Sequence, residues 1–249
     1  MRRRPFVAAL GSAAVGTLLA GCFGGSNDAP APSPTPDSDS GSGSDGAAPA
    51  TATPTPTPDW TLADSPVTTD LASQPHHGPD PTAADAVVVE FSDPSCPPCA
   101  TFHREIMPDL ESQLLDPHDV SFVARDVGVV HEWAPRAVRA EDATFDRDAD
   151  AYWALKDFYY GHQSELTTEN VLSRTETFLA DETDLDAAAV VADVRDDAYQ
   201  DVVDADRQAF EGSTARGVPA FYLFRDGEYR TRILGTQSAT VFAAALGYQ

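Results

Sequence analysis

Basic residues are scarce in this chain, and lysine is almost absent. The 249 residues include 16 Lys and Arg against 40 Asp and Glu, a net charge of -24, and Lys156 is the only lysine. Because the acidic excess is spread along the chain, it would repel nucleic-acid phosphates, and we expect no nucleic-acid partner. An acidic surface either keeps a protein hydrated in concentrated salt or attracts a basic partner. The even spread and the shortage of lysine favour the first explanation and predict a halophilic protein.

Cysteine is the second shortage, with three residues in the whole chain: Cys22, Cys96 and Cys99. Cys22 falls in an N-terminal signal described below, which leaves two cysteines for the folded part. This number excludes the multiple-disulfide framework of small secreted domains, and it leaves no second cysteine pair for a four-cysteine zinc site.

The longest stretch that is largely apolar lies at the N-terminus, in residues 1–22, which read MRRRPFVAALGSAAVGTLLAGC. The basic start resembles a twin-arginine export signal, and Leu19-Ala20-Gly21-Cys22 resembles a lipobox, in which Cys22 becomes a lipid-modified first residue. An uncleaved transmembrane anchor is the less favoured alternative, because the apolar run is short for a spanning helix and rich in Gly and Ala. Both interpretations predict a protein at the outer face of the cytoplasmic membrane.

Residues 23–59 are composed mainly of Gly, Ser, Pro, Thr, Asp and Ala and offer almost nothing to bury. Such a segment cannot offset the entropy lost on ordering, so we predict a disordered tether between the signal and the rest of the chain. Globular composition begins at Trp60, and the predicted domain covers residues 60–249.

The domain alternates apolar runs typical of strands with helical patterns. The predicted strands cover residues 86–91, 120–130, 218–224 and 228–234, and Asp226-Gly227 predicts a hairpin turn between the last two. The predicted helices cover residues 97–115 and 238–248, with a largely helical block at about 133–212. This order predicts an α/β fold with a helical insertion.

Cys96 and Cys99 enclose Pro97 and Pro98 at the junction of a predicted strand and a predicted helix. Pro98 suits a helix start, where its missing N–H costs nothing. Free N–H groups at a helix N-terminus stabilise a thiolate on the first cysteine. Two intervening residues let the second cysteine close a disulfide with the first. The pattern therefore predicts a redox pair that exchanges disulfides through a mixed disulfide.

At these residues the chain resembles the thioredoxin superfamily, and it is most similar to the DsbA-like thiol:disulfide oxidoreductases, which carry a helical insertion. Three features carry the resemblance: the Cys96-Pro97-Pro98-Cys99 motif, Glu90 six residues before Cys96, and Val218-Pro219 before a predicted strand. Val218-Pro219 stands where the family has its cis-proline loop. The resemblance extends over roughly residues 65–249 and implies a thioredoxin-like fold.

The resemblance also implies roles for these residues. Cys96 matches the exposed nucleophile, Cys99 the buried resolving thiol, and Pro219 the cis-proline that packs against the active disulfide. Glu90 matches a buried acid that carries protons. Pro98 stands where DsbA has a histidine that helps to stabilise the thiolate, so we expect an oxidant of intermediate strength.

The residues alone leave other interpretations open. Cys96 and Cys99 could form half of a zinc or copper site with His103, which lies one helical turn beyond Cys99. Glu90 could be a solvent-exposed acid of an edge strand, although its apolar neighbours favour burial. Pro219 could follow an ordinary trans peptide bond. The remaining histidines are predicted to be surface or structural residues, and the aromatic residues around position 158 are predicted to form core of the helical insertion.

These patterns predict an extracytoplasmic thiol:disulfide oxidoreductase that oxidises thiols of exported proteins. A membrane redox partner would recycle the Cys96–Cys99 dithiol, and a lipid on Cys22 would hold the protein at the membrane. We expect no cofactor and no resident metal. The alternatives are a reductase, for example one that keeps cytochrome-maturation thiols reduced, and a non-enzymatic copper or zinc carrier.

Overall fold

A computed structural model describes residues 58–248 of the chain. The predicted signal with Cys22, and all but the last two residues of the predicted tether, lie outside the described residues and remain predictions. Within the described part, none of the helices combines the length and the apolar composition that crossing a membrane requires.

Five strands form one mixed sheet in the spatial order β1-β3-β2-β4-β5. The central strand β2 pairs in parallel with β3 and antiparallel with β4, while β1 and β5 pair antiparallel at the two edges. The strands are β1 (His76–His77), β2 (Ala86–Ser92), β3 (Val120–Asp126), β4 (Ala220–Arg225) and β5 (Glu228–Leu234). All residues of β2 and β3 are buried, as expected for strands covered on both faces.

Two predicted strands are longer than the observed ones. The strand predicted to reach Val130 ends at Asp126, because the N–H groups of Val129 and Val130 donate to the Asp93 carboxylate instead of to a neighbouring strand. The strand predicted from Val218 begins at Ala220. Strand β1 was not predicted, because its two residues are too few for a period-two pattern.

The helix predicted at residues 97–115 is present but irregular. It runs as α1 (Pro97–Thr101), a π-helical turn (Phe102–Ile106), α2 (Met107–Leu110) and a second π-helical turn (Glu111–Leu115). Pro108 has no N–H to donate, and immediately before it the Met107 N–H bonds back five residues to the Phe102 carbonyl. The hydrogen-bond pattern of the helix therefore changes next to Pro108.

Helices cover both faces of the sheet. The helix from Pro97 and the C-terminal helix α8 (Ala239–Leu246) bury Phe102, Phe221 and Phe242 on one face. On the other face, Phe91 and Tyr222 belong to a cluster that also includes residues of the described segment before β1 and residues at the end of the insertion. Short 3-10 helices occupy Pro66–Thr68, Leu71–Ser73 and Gln163–Glu165.

The predicted helical insertion is confirmed. It consists of α3 (Ala134–Phe145), α4 (Ala149–His162), α5 (Val171–Glu182), α6 (Ala187–Arg195) and α7 (Gln200–Gly212). Its own core includes Trp133, Leu155, Tyr159 and Leu179. Helix α4 also contacts α1, and this contact brings the insertion to the predicted redox pair.

Candidate active site

The turn between β2 and α1 places both cysteines, and Asp93 organises that turn. The buried Asp93 side chain accepts hydrogen bonds through Oδ1 from Ser95 N at 2.7 Å and Ser95 Oγ at 2.5 Å. Its Oδ2 accepts from Val129 N at 2.5 Å and Val130 N at 2.9 Å. Asp93 thus links the cysteine turn to the loop after β3. Asp93 was not among the predicted site residues, although an Asp two residues before a Ser is a typical turn signal.

Cys96 is the N-cap of α1, and its Sγ lies 3.4 Å from the Cys99 N–H nitrogen. The same sulfur lies 3.5 Å from the Val218 carbonyl oxygen, to which the thiol donates. Both cysteines are free thiols. Because Pro97 and Pro98 have no N–H, the Cys99 N–H is the first in the helix that can reach the Cys96 sulfur.

The prediction that Cys96 lies exposed at the helix tip is wrong: its exposed fraction is 3%, against 0% for Cys99. The cover is tertiary, because Tyr160 of α4 and Val218 pack against the two cysteines. In addition, Gln163 Nε2 donates to the Cys96 carbonyl at 3.0 Å. The exposed residues of the motif are Pro97 and Pro98.

The two thiols differ in acidity in the direction that their predicted roles require. The hydrogen bond from the Cys99 thiol lowers the pKa of Cys96, and the Cys99 N–H adds to this effect, while burial and the charges of Asp93 and Glu90 oppose it. Burial raises the pKa of Cys99, and the neighbouring Cys96 raises it further. The surroundings therefore favour ionisation of Cys96 over ionisation of Cys99.

The Val218–Pro219 peptide bond is cis, as the resemblance implied, and not trans. Val218 is partly buried against the cysteine cluster, and its carbonyl oxygen faces the Cys96 sulfur. The Pro219 carbonyl accepts a hydrogen bond from Gly235 N at 3.0 Å, which holds this loop to the end of β5. The loop is thus anchored beside the reactive sulfur.

Glu90 lies on the central strand and is fully buried, which contradicts the edge-strand alternative. Its Oε2 pairs with His103 Nε2 at 2.8 Å, and its Oε1 has no hydrogen-bond partner among residues 58–248. The charge of Glu90 is close enough to contribute to the raised pKa of Cys99. His103 is 8% exposed and stacks on Tyr160, with 4.8 Å between the ring centroids.

His103 was predicted only as a possible metal ligand, and its pairing with Glu90 was not predicted. The spacing of four residues from Cys99, which places the two side chains on one face of a helix, was the available signal. Among the residues that the structure describes, no three His, Cys, Asp or Glu side chains stand together as a metal-ligand set.

The only lysine is fully buried directly behind the cysteine turn. Lys156 Nζ lies 2.6 Å from both Asp126 carboxylate oxygens and 3.2 Å from Ser92 Oγ. Ser92 Oγ and Tyr152 Oη also donate to Asp126, at 2.6 and 2.9 Å. Burial opposes the charge on Lys156, but the Asp126 carboxylate outweighs it and raises the pKa of the ammonium. This network links the ends of β2 and β3 to α4.

Comparison with known protein families assigns the fold. The family model described as Thioredoxin matches residues 74–229 of the chain. A Na(+)/H(+) antiporter NhaA 3 from Salinispora tropica is 27% identical over 174 residues, which cover 68% of this chain and 25% of the antiporter. Disulfide bond formation protein D from Bacillus subtilis is 28% identical over 99 residues, which cover 40% of this chain and 44% of that protein. The match therefore spans less than half of each relative's length.

The crystal structure of oxidised BdbD from Bacillus subtilis is similar in fold, with a TM-score of 0.56 and 22% sequence identity. The match covers 64% of this chain and 85% of the BdbD chain. The predicted thioredoxin-like fold with a helical insertion is confirmed by these comparisons. Cys96, Cys99, Glu90 and the Val218–Pro219 loop come together at one end of this fold.

Proposed function

This chain belongs to the thioredoxin family, and from that premise we propose that it is an extracytoplasmic thiol:disulfide oxidoreductase that oxidises thiols of exported proteins. The observation that carries the proposal is the asymmetry of the cysteine pair. The Cys96 sulfur accepts a hydrogen bond from the Cys99 N–H, and the pKa of Cys96 is lowered. Cys99 is fully buried, and its pKa is raised. Such a pair suits thiol–disulfide exchange.

In the proposed reaction a substrate thiolate attacks Cys96 Sγ of the Cys96–Cys99 disulfide. The S–S bond breaks, its electron pair passes to Cys99 Sγ, and Cys99 takes a proton. A second substrate thiolate then attacks the substrate sulfur of the mixed disulfide. Cys96 leaves as the thiolate that the Cys99 N–H stabilises. The substrate loses two electrons and two protons. The enzyme keeps both electrons and one proton, as the Cys96 thiolate and the Cys99 thiol, and the other proton passes to solvent.

A membrane redox partner with a disulfide of its own, or an equivalent two-electron acceptor, would return the dithiol to the disulfide. Glu90, which is buried and whose charge helps to raise the pKa of Cys99, is the proposed proton carrier for the Cys99 thiol. The name of the relative from Bacillus subtilis, Disulfide bond formation protein D, supports the oxidising direction.

The surface beside the cysteine turn suits an unfolded substrate. Val129 and Val130 are 57% and 43% exposed, and Asp93 holds their backbone next to the turn that carries Cys96. Unfolded exported chains present apolar side chains that such a surface can contact. We propose that substrates bind across these two valines and the exposed prolines of the motif.

The reduction potential tests the proposed direction. We expect a value between about -270 and -120 mV, the potentials of thioredoxin and DsbA. The Cys99 N–H stabilises the Cys96 thiolate, whereas Asp93 and Glu90 oppose it and Pro98 supplies neither an N–H nor a cation. Equilibration with glutathione buffers in molar salt measures this potential. Pro98→His should raise it by adding a cation near the thiolate, while the control Pro98→Ala should change it less.

Two outcomes would contradict this proposal in different ways. A potential at or below the thioredoxin value would favour the reductase alternative over the oxidase. A protein whose Cys96 and Cys99 form no disulfide under any glutathione ratio would refute thiol–disulfide exchange itself. Equal shifts in Pro98→His and Pro98→Ala would mean that the imidazole charge does not set the potential.

We further propose that the protein is exported by the twin-arginine route and anchored by a lipid on Cys22. Cys22→Ser should move the protein from the membrane fraction to the soluble fraction, or leave an unprocessed precursor, because the lipidated residue is lost. Membrane fractionation with mass spectrometry of the N-terminus measures both, and Cys99→Ser is the matched control that leaves the signal intact. A mature protein that begins at Met1 and stays in the membrane would indicate a transmembrane anchor instead.

A further inference from the structure

The proposed reaction requires Cys99 to gain one proton and to lose it again in each cycle, yet the described residues give this thiol no contact with solvent. Cys99 and Glu90 are both 0% exposed, and Cys96 at the mouth of the site is 3% exposed. Tyr160, which is 2% exposed, packs against both cysteines. A proton that reaches Cys99 must therefore come through side chains.

His103 is the group that joins this buried region to a polar cleft. Its Nε2 lies 2.8 Å from Glu90 Oε2. The His103 side chain also lines a cleft of about 170 Å³, together with His77, Met107, Glu111, Trp153 and Asp157. At roughly 30 Å³ per water molecule, a cleft of this size has room for several waters. Among residues 58–248, no hydrogen-bond partner occupies His103 Nδ1.

Tyr160 separates this path from the second buried ionic group. Its ring stacks on His103 at 4.8 Å on one side, and Lys156 Nζ lies 5.4 Å from its centroid. The Lys156 ammonium is held by Asp126 and Ser92 and makes no hydrogen bond to Glu90. Among the described residues, His103 is the one titratable side chain hydrogen-bonded to Glu90.

Resting on the function proposed above, we propose that protons pass between Cys99 and solvent through Glu90 and His103, by way of the polar cleft on the flank of the active-site helix. When the disulfide opens, Glu90 gives a proton to Cys99 Sγ. The His103 Nε2–H replaces it on Glu90, and His103 Nδ1 takes a proton from water in the cleft. The reverse sequence removes the proton when Cys99 attacks a mixed disulfide. One proton reaches Cys99 in the forward sequence, and one proton leaves Cys99 in the reverse sequence. The relay carries no electrons.

The charges around the path suit this role. Glu90 pairs with His103, and its charge acts on Tyr160 and on both cysteines, while Lys156 lies beyond Tyr160. His103 faces Asp157 and Glu111, whose carboxylates border the cleft, and His77, which stacks on Trp153 at 3.8 Å. Burial, together with the charges of His103 and His76, lowers the pKa of His77 to about 4, so that ring is neutral at neutral pH. The cleft therefore presents carboxylates, which attract protons, at its outer end.

His103→Gln separates a proton relay from a merely structural hydrogen bond. Glutamine can donate an N–H to Glu90 Oε2, but it cannot take up a proton and pass it on. The Cys99 step is the one in which Cys99 gains or loses its proton. Stopped-flow kinetics should show that this step slows by about 100-fold, the lower end of what a positioned acid–base group contributes. The pH profile of that step should change, whereas the pH profile of Cys96 alkylation should stay as in the wild type. His118→Gln, the same change at a histidine remote from Glu90, is the control.

The outcomes distinguish failure of the relay from failure of the proposed function. If the Cys99 step in His103→Gln kept its wild-type rate, the relay would be overturned. If the reaction of Cys96 slowed as much as the Cys99 step, the relay would also be overturned, because His103 would then have a structural role. A wild-type protein that exchanges no disulfide would overturn the proposed function itself. If His103→Gln does not fold, His103→Ala with added imidazole gives a second test. The Cys99 step should recover saturably with imidazole, and a folded variant without recovery would contradict the relay.

Discussion

Cys99→Ser should accumulate mixed disulfides with substrate proteins, whereas Cys96→Ser should accumulate few. In Cys99→Ser the Cys96 sulfur can still attack a substrate disulfide, but no second thiol is present to resolve the product. In Cys96→Ser the remaining thiol is fully buried with a raised pKa. Each unit of pKa difference changes the thiolate fraction tenfold, so we expect the two variants to differ by at least about tenfold. Non-reducing electrophoresis with mass spectrometry of the trapped species measures the difference.

The control for trapping is the double variant Cys96→Ser with Cys99→Ser, which should form no mixed disulfide through this site. Equal trapping by the two single variants would mean that either cysteine can attack, and the assignment of Cys96 as nucleophile would then be wrong. Trapping by Cys96→Ser alone would reverse the assignment. The buried position of Cys96 adds a condition: substrates must displace part of the cover that Tyr160 and Val218 provide.

Lys156→Met should cost about 3–5 kcal/mol of unfolding free energy, because it leaves the Asp126 carboxylate buried without its cation. Asp126 is 4% exposed and Lys156 is 0% exposed, so solvent cannot replace the lost partner. Denaturant unfolding at constant salt measures the loss. The double variant Lys156→Met with Asp126→Asn should recover most of it, because it removes the uncompensated charge along with the lysine.

An exposed ion pair in the same chain provides the contrast. Arg174 and Glu165 pair at 2.7 Å, but their side chains are 40% and 55% exposed. Arg174→Met should therefore cost less than about 1 kcal/mol, because solvent and salt screen such a pair. If Lys156→Met lost as little unfolding free energy as Arg174→Met, the buried network would add little to stability.

Predictions from local sequence patterns succeeded where neighbouring residues carry the information. The apolar run at residues 86–91, the Asp226-Gly227 turn and the cysteine pair at a helix start are each determined within a few residues. Boundaries were less accurate where a distant group competes for the backbone. Asp93, on the neighbouring chain segment, takes the N–H groups of Val129 and Val130 and so ends β3 at Asp126.

The roles of single polar residues depended on contacts that no local pattern contains. Lys156 looked like an isolated basic residue in an acidic chain, but α4 brings it to Asp126, 30 residues away in sequence. His103 looked like a possible metal ligand, but the packing of its helix on β2 pairs it with Glu90. Burial then decides their chemistry, because a charge removed from water must find a partner.

The sequence by itself determined the order of the strands and helices other than β1, the position of the redox pair at a helix N-terminus, and the presence of a proline before β4. These features follow from periodicity, turn chemistry and helix capping, which act over a few residues. Only the tertiary structure decided that Cys96 is covered, that Glu90 pairs with His103, and that the single lysine is buried behind the cysteine turn. Those outcomes depend on which distant elements pack together, because exposure and electrostatic environment are properties of the packed fold.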